Sequence, residues 1–117
     1  MSSNQPATPL RVSEEAGRIT IRFAPGTTLS ENNAEEFSRE VSALAQQREK
    51  PHLLLDLGEL TLITSVGLSK LIALNGRVRA AGGRLTLFNA NPIVRQVFQV
   101  TRLDTVLEVR DTADALA

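Results

Sequence analysis

The residues with the clearest chemical potential lie in one stretch, Asp56 to Lys70, which reads DLGELTLITSVGLSK. Its centre, Thr64 to Leu68, passes from an apolar segment predicted to be buried (Leu62, Ile63) into a predicted helix. A serine at such a start can cap the helix, because its side-chain oxygen accepts an otherwise unpaired N–H of the first turn. The simplest interpretation is therefore that Ser65 is the N-cap, which stabilises a helix by about 1 kcal/mol.

Catalytic motifs are missing from the sequence. It contains no GxxxxGK[ST] or GxGxxG phosphate-binding loop and no GxSxG nucleophile turn. Ser65, His52 and Asp56 do not form a triad, because His52 and Asp56 lie in one predicted strand, roughly 13 Å apart at about 3.3 Å per residue. His52 is interpreted instead as a solvated or hydrogen-bonded structural histidine. An enzyme with an unrecognised site is kept only as a third hypothesis.

Composition excludes several other classes of function. The chain has 117 residues, 13 basic and 13 acidic side chains, and no Trp or Tyr. A neutral chain whose only aromatic residues are four Phe predicts no nucleic-acid partner and no attraction to an anionic membrane. With no cysteine and one histidine, we expect no metal and no cofactor. The apolar runs are too short for a membrane span and no signal peptide is recognisable, so we expect a cytoplasmic protein.

The elements that must position Ser65 follow from periodicity. Alternation predicts two strands within Leu10 to Ala24, and the apolar run His52 to Leu57 predicts a strand covered on both faces. Gly58 to Thr64 is predicted to be a turn region. Helical spacing and capping signals predict three helices. The first begins near Asn32, with Glu35 completing a capping box, and the second runs from about Ser65 to Ala81 and buries Leu71 and Val78. The third begins at Asn91-Pro92 and buries Ile93, Val94, Val97 and Phe98.

The order of these elements predicts an α/β fold. Arg84 to Phe88 and Val106 to Val109 are two further predicted strands, and Thr112 to Leu116 a terminal helical turn. Strands that alternate with helices favour parallel pairing with right-handed crossovers. We expect one domain over residues 10–117, with a four- to five-stranded mixed sheet and helices packed on one face. Residues 1–9 are expected to be a flexible tail.

Several short motifs between Ile19 and Val109 have a characteristic order and spacing. Asp56-Leu57 ends a strand, an apolar segment follows, and Thr64 to Ser69 opens a helix that stops at Gly82-Gly83. The later segment from Pro92 to Leu103 matches the pattern P-x-V-x-x-x-F-x-x-x-x-L. Together these segments resemble the STAS family (sulfate-transporter and anti-sigma-factor-antagonist domains), and the bacterial antagonists in particular.

The resemblance implies a regulatory binding module that is not an enzyme. Such antagonists bind a GHKL-type serine kinase that also holds a sigma factor; the kinase phosphorylates the serine matching Ser65, and a PP2C-type phosphatase reverses the modification. The resemblance also implies a partner-binding surface around Ser65. Two positions depart from the family pattern, because Thr64 and Ser30 stand where antagonists usually carry aspartate. The residues implied in partner binding are Ser30, Thr64, Ser65, Val66, Gly67 and Ser69.

A second hypothesis is a STAS scaffold, as in stressosome-like assemblies, where the domain pairs with copies of itself or with sensor domains. Thr64 and the net charge of zero fit this alternative as well as they fit the first. A homodimer is accordingly among the expected partners.

Overall fold

The central layer of the protein is a five-stranded mixed sheet, seen in a computed structural model that describes residues 10–111. The predicted tail at residues 1–9 and the predicted turn at Thr112 to Leu116 lie outside the described residues. In chain order the elements are β1 (Leu10–Glu15), β2 (Arg18–Phe23), β3 (Thr27–Leu29), α1 (Ala34–Gln46), β4 (His52–Asp56), β5 (Leu60–Ile63), α2 (Ser65–Ala80), β6 (Arg84–Phe88), α3 (Pro92–Val100), a 3-10 turn (Leu103–Thr105) and β7 (Glu108–Arg110).

The strands of the main sheet follow the order β1-β2-β4-β6-β7. The β1 and β2 strands form an antiparallel hairpin, and every later pairing is parallel. The register aligns Ile21, Leu55 and Leu87 across three strands, and all three are fully buried. The predicted α/β fold with a mixed sheet is confirmed.

The helices bury their apolar sides in one core with the face of the sheet that carries Ile21, Leu55 and Leu87. Phe37 of α1 stacks on Phe23 of β2 with ring centroids 5.3 Å apart. Leu71 and Val78 of α2 are fully buried, as predicted, and Phe98 of α3 joins the same cluster. The prediction for Ile93 is wrong, because that side chain is 61% exposed. The short α3 helix turns only Val94 and Phe98 fully inward.

Two short strands were not predicted from the sequence. The β3 and β5 strands pair with each other in parallel and form a separate two-stranded sheet. The β5 strand occupies part of the predicted turn region Gly58 to Thr64, and Leu62 within it is 46% exposed instead of buried. The last strand begins at Glu108 and not at Val106 as predicted, because the N–H groups of Val106 and Leu107 both donate to the Leu103 carbonyl of the preceding 3-10 turn. The β5 strand, which was not predicted from the sequence, leads directly to the start of α2.

The burial of α2 generates a stability prediction. Replacing Leu71 by Ala removes fully buried methyl groups, so unfolding free energy should fall by about 2–5 kcal/mol. The neighbouring Ile72 is 38% exposed, and Ile72→Ala should change it much less. Urea denaturation of both variants measures the difference, and equal losses would mean that the buried face of α2 is misassigned.

Candidate functional site

The start of α2 is attached to β3 through the backbone. At the end of β5, the Thr64 N–H donates to the Leu29 carbonyl with an N–O distance of 2.9 Å. The Thr64 carbonyl in turn accepts from the Leu68 N–H at 2.9 Å, the first bond of the helix. The strand pair and the helix therefore share one residue, and the position of Ser65 is fixed from both sides.

Thr64, not Ser65, caps this helix. Its backbone is extended, with φ −91° and ψ 174°, and its hydroxyl accepts the Gly67 N–H at 3.4 Å. Ser65 is the first residue of the helix, as the predicted helix boundary has it, but the interpretation of Ser65 as the N-cap is wrong. The extended conformation of β5 continues through Thr64, and an N-cap residue needs that conformation. The Ser65 side chain is consequently not needed to satisfy the first turn.

Gly67 allows α2 to approach β3 closely. A Cβ atom at this position would lie 2.8 Å from the Leu29 carbonyl oxygen and 3.1 Å from the Leu29 Cγ. Gly67 is buried, so its effect on the site is to let the start of α2 lie close to β3. Of the residues predicted to bind partners here, Ser65, Val66 and Ser69 are exposed, and Thr64 is half-buried.

Ser30, the remaining predicted partner-binding residue, directly follows Leu29 in a loop that Asn33 organises. The Ser30 N–H donates to Asn33 Oδ1 at 2.9 Å, and Asn33 Nδ2 donates to the Thr28 carbonyl at 2.8 Å. Ser30 Oγ accepts the Asn32 N–H at 3.3 Å. The structure thus brings Ser30 and Thr64 to either side of Leu29.

Asn33 was missed by sequence reasoning, which selected its neighbour. The residue before α1 is Asn33, not Asn32. Glu35, predicted to complete a capping box with Asn32, instead forms an ion pair with Lys70 of α2. Hydrogen bonding from Lys70 holds the pKa of the Glu35 carboxyl below its ordinary value. The residues next to Asn33, which are Asn32 and Ala34, do not indicate whether its side chain caps α1 or forms hydrogen bonds within the preceding loop.

The structure does not assemble a catalytic triad. The Asp56 carboxylate lies at the carboxyl end of β4, where it pairs with Arg22 at 3.2 Å and accepts from Gly58 N and Asn89 Nδ2. His52 lies at the opposite end of that strand. Among the described residues its Nε2 is buried and has no hydrogen-bond partner, although the side chain as a whole is half-buried, so the expected hydrogen bond is absent at that nitrogen. Burial, with Arg84 and Arg18 nearby, lowers the pKa of His52.

Neither a metal site nor a membrane-spanning helix is found among the described residues. Between residues 10 and 111, no group of three or more His, Cys, Asp or Glu side chains is arranged to hold a metal ion. Over the same range, no helix is long and apolar enough to cross a membrane. What the site offers is an exposed hydroxyl in the first turn of a helix, beside two exposed apolar side chains, Leu62 and Val66.

Comparisons with known proteins agree on one family. The family model described as Mlab, STAS domain, matches residues 12–109. A Bordetella bronchiseptica protein, BtrV, described as a candidate anti-sigma factor antagonist, is 32% identical over 85 residues, which cover 73% of this chain and 72% of that protein.

Solved structures show the same fold. An anti-sigma-factor antagonist (STAS) domain protein from Planctomyces limnophilus superposes with a TM-score of 0.80 at 24% identity, covering 92% of this chain and 93% of that one. The Bacillus cell fate determinant SpoIIAA in its phosphorylated form gives a TM-score of 0.65 at 19% identity, covering 92% and 96%.

The cap assignment predicts different effects for adjacent hydroxyls. Thr64→Ala removes the acceptor for the Gly67 N–H and should lower unfolding free energy by about 0.5–2 kcal/mol. Ser65→Ala removes an exposed hydroxyl at a helical position and should change it by less than about 0.5 kcal/mol. Thermal and urea unfolding of both variants decide the assignment, which fails if Ser65→Ala is the more damaging.

Two glycines of α2 provide a second test of the same junction. Gly67→Ala pushes a methyl group against the Leu29 carbonyl and should cost about 1–3 kcal/mol. The matched change Gly76→Ala meets no atom within 4 Å and should stabilise the helix by about 0.5–1 kcal/mol. Urea midpoints of the two variants should therefore move in opposite directions; a stabilising Gly67→Ala would contradict the close approach to β3.

Proposed function

Because the chain belongs to the STAS domain family and is related to anti-sigma-factor antagonists, we propose that it is itself such an antagonist. In this proposal it binds a GHKL-type anti-sigma-factor serine kinase and acts as substrate and partner, without catalytic activity or a cofactor of its own. The kinase transfers the γ-phosphoryl group of ATP to Ser65 Oγ and releases ADP. A PP2C-type phosphatase hydrolyses the phosphoserine. We place these events in the cytoplasm.

The observation that carries the proposal is the exposure of Ser65 in the first turn of α2. A kinase needs an accessible hydroxyl, and Ser65 has one because Thr64 satisfies the capping requirement. The first turn contains no acidic side chain. A phosphate of charge about −1.5 to −2 therefore meets the positive end of the helix dipole, an interaction of roughly 0.3–1 kcal/mol. The domain is expected to stay folded when Ser65 is phosphorylated.

The same phosphate opposes docking of a partner. Leu62 and Val66 are 46% and 38% exposed, and apolar contact with them would place a partner surface over Ser65. That surface must then desolvate the phosphate or bring like charge against it, at a cost of about 2–5 kcal/mol. At about 1.4 kcal/mol per tenfold, affinity falls by roughly thirty- to several-thousand-fold. This penalty exceeds the small intramolecular gain, so phosphorylation acts as an off switch for binding.

The proposed partner surface consists of Ser30, Thr64, Ser65, Val66, Gly67 and Ser69. Gly67 is buried, so its contribution is to keep the helix start close to β3. Ser30 and Thr64 present hydroxyls where related antagonists carry carboxylates. The cognate kinase must therefore recognise this chain without acidic groups at those two positions.

The absence of those carboxylates favours one alternative function. A STAS scaffold that assembles with copies of itself or with sensor domains, as in stressosome-like complexes, needs no kinase recognition at Thr64. For that function, size-exclusion chromatography with light scattering should show a homodimer or larger assembly, and ATP with any GHKL kinase of the host should leave Ser65 unmodified.

The proposal predicts where phosphate is added and what it does. Incubation with ATP and the GHKL kinases of the host should yield a single phosphosite at Ser65 by mass spectrometry, and Ser65→Ala should abolish it. Ser65→Asp should keep the melting temperature yet weaken kinase binding by about thirtyfold or more. Ser65→Ala should bind the kinase and escape inactivation.

Ser13 provides the matched control, because it is exposed on β1, away from α2. Ser13→Asp adds the same charge and should leave kinase affinity within about twofold. Equal kinase affinity for the unmodified protein and Ser65→Asp would eliminate the switch.

A further inference from the structure

The seam between α1 and α2 opens into a groove that plays no part in the proposed switch. The groove consists of two adjoining cavities of about 360 and 350 Å³. Both are lined by Ser42, Gln46 and Arg77, so they lie side by side along the seam. Its size falls within the range of small-molecule sites.

One half of the groove is polar and cationic. Arg39, Lys70 and Arg77 line it together with a single carboxylate, that of Glu35. Lys70 forms an ion pair with Glu35, and Arg39 lies 3.8 Å from the same carboxylate. Three cations against one carboxylate leave this half with an excess of positive charge.

Arg77 is the cation best placed to meet an anion. Its Nη1 donates to Ser38 Oγ at 3.4 Å and to Ser42 Oγ at 3.3 Å, two neutral acceptors at long distances. Both serines are buried, with 3% and 9% exposure, so the guanidinium is anchored over the seam. A guanidinium binds carboxylates and phosphates more strongly than hydroxyls, because two charged hydrogen bonds form in parallel.

The other half of the groove is apolar. Leu74 and Val78 of α2 lie at its base, and Ala45, Ala80 and Ala81 complete the lining. Arg77 lies between this apolar half and the cationic half. A ligand that satisfies both must carry an anionic group and an apolar substituent separated by a short distance.

We propose that the α1–α2 groove binds a small amphipathic anion, a phosphate monoester or carboxylate with a short alkyl chain. The anionic group lies against Arg77, and the alkyl chain lies against Ala80 and Ala81, the exposed apolar residues of the lining. Ser65 does not line this groove, so ligand binding there can be tested independently of the proposed kinase switch.

Titration with octyl phosphate, below its micelle concentration, tests the site by calorimetry and by amide NMR shifts. We expect saturable sub-millimolar binding, with the largest shifts along the facing sides of α1 and α2. Inorganic phosphate and neutral octyl glucoside should each bind at least about tenfold more weakly, since each satisfies one half only. Octanoate serves as the carboxylate arm, and the tighter of the two octyl anions identifies the headgroup.

Arg77→Gln should weaken octyl phosphate binding by about tenfold or more. The matched control Arg79→Gln removes the same charge from an exposed position on the same helix and should stay within about twofold. Ala80→Glu, which leaves Arg77 and the core intact, should also weaken binding by placing a carboxylate at the apolar end. Absence of saturable binding, equal affinity for octyl glucoside, or equal losses for Arg77→Gln and Arg79→Gln would each overturn the proposal.

Discussion

The hydrogen bond from the Thr64 N–H to the Leu29 carbonyl is the contact on which the candidate site depends. It ends the β3–β5 pair and begins α2 in one step, because Thr64 is bonded to a strand on one side and caps a helix on the other. Gly67 is required by the same contact, since any side chain there would collide with Leu29. Ser30 follows Leu29 directly, so the Leu29 carbonyl lies between the two polar segments of the proposed partner surface.

That junction also determines how α1 and α2 lie against each other. The loop after Leu29 leads into α1, and the residue after Thr64 begins α2, so both helices leave the same small sheet. Glu35 near the start of α1 then meets Lys70 near the start of α2, and Arg77 further along α2 meets Ser38 and Ser42. These polar contacts cross the seam along which the two cavities open.

Sequence patterns predicted the elements whose residues repeat over several turns or alternations. The β2 and β4 strands and the α2 helix each place at least three apolar side chains at regular spacing, so their burial could be anticipated. The β3 and β5 strands could not be, because they are three and four residues long and join segments that are distant in sequence. The choice of Thr64 over Ser65 as cap depended on the same pairing: both residues are good caps, and only the extended backbone of β5 decides between them.

The division of roles between Thr64 and Ser65 makes the proposed switch compatible with threonine at position 64, where the resemblance to bacterial antagonists implies aspartate. Aspartate and threonine both accept a first-turn N–H as N-caps, so Thr64 caps α2 as an aspartate at that position would. What threonine lacks is the negative charge beside Ser65, the residue proposed to accept the phosphate. A phosphate on Ser65 would therefore face no adjacent carboxylate, and repulsion within the domain would be smaller than in a chain with Asp at that position. Threonine at position 64 leaves the helix start and the exposed hydroxyl in place, and in the proposed function it changes only the charge that a partner meets.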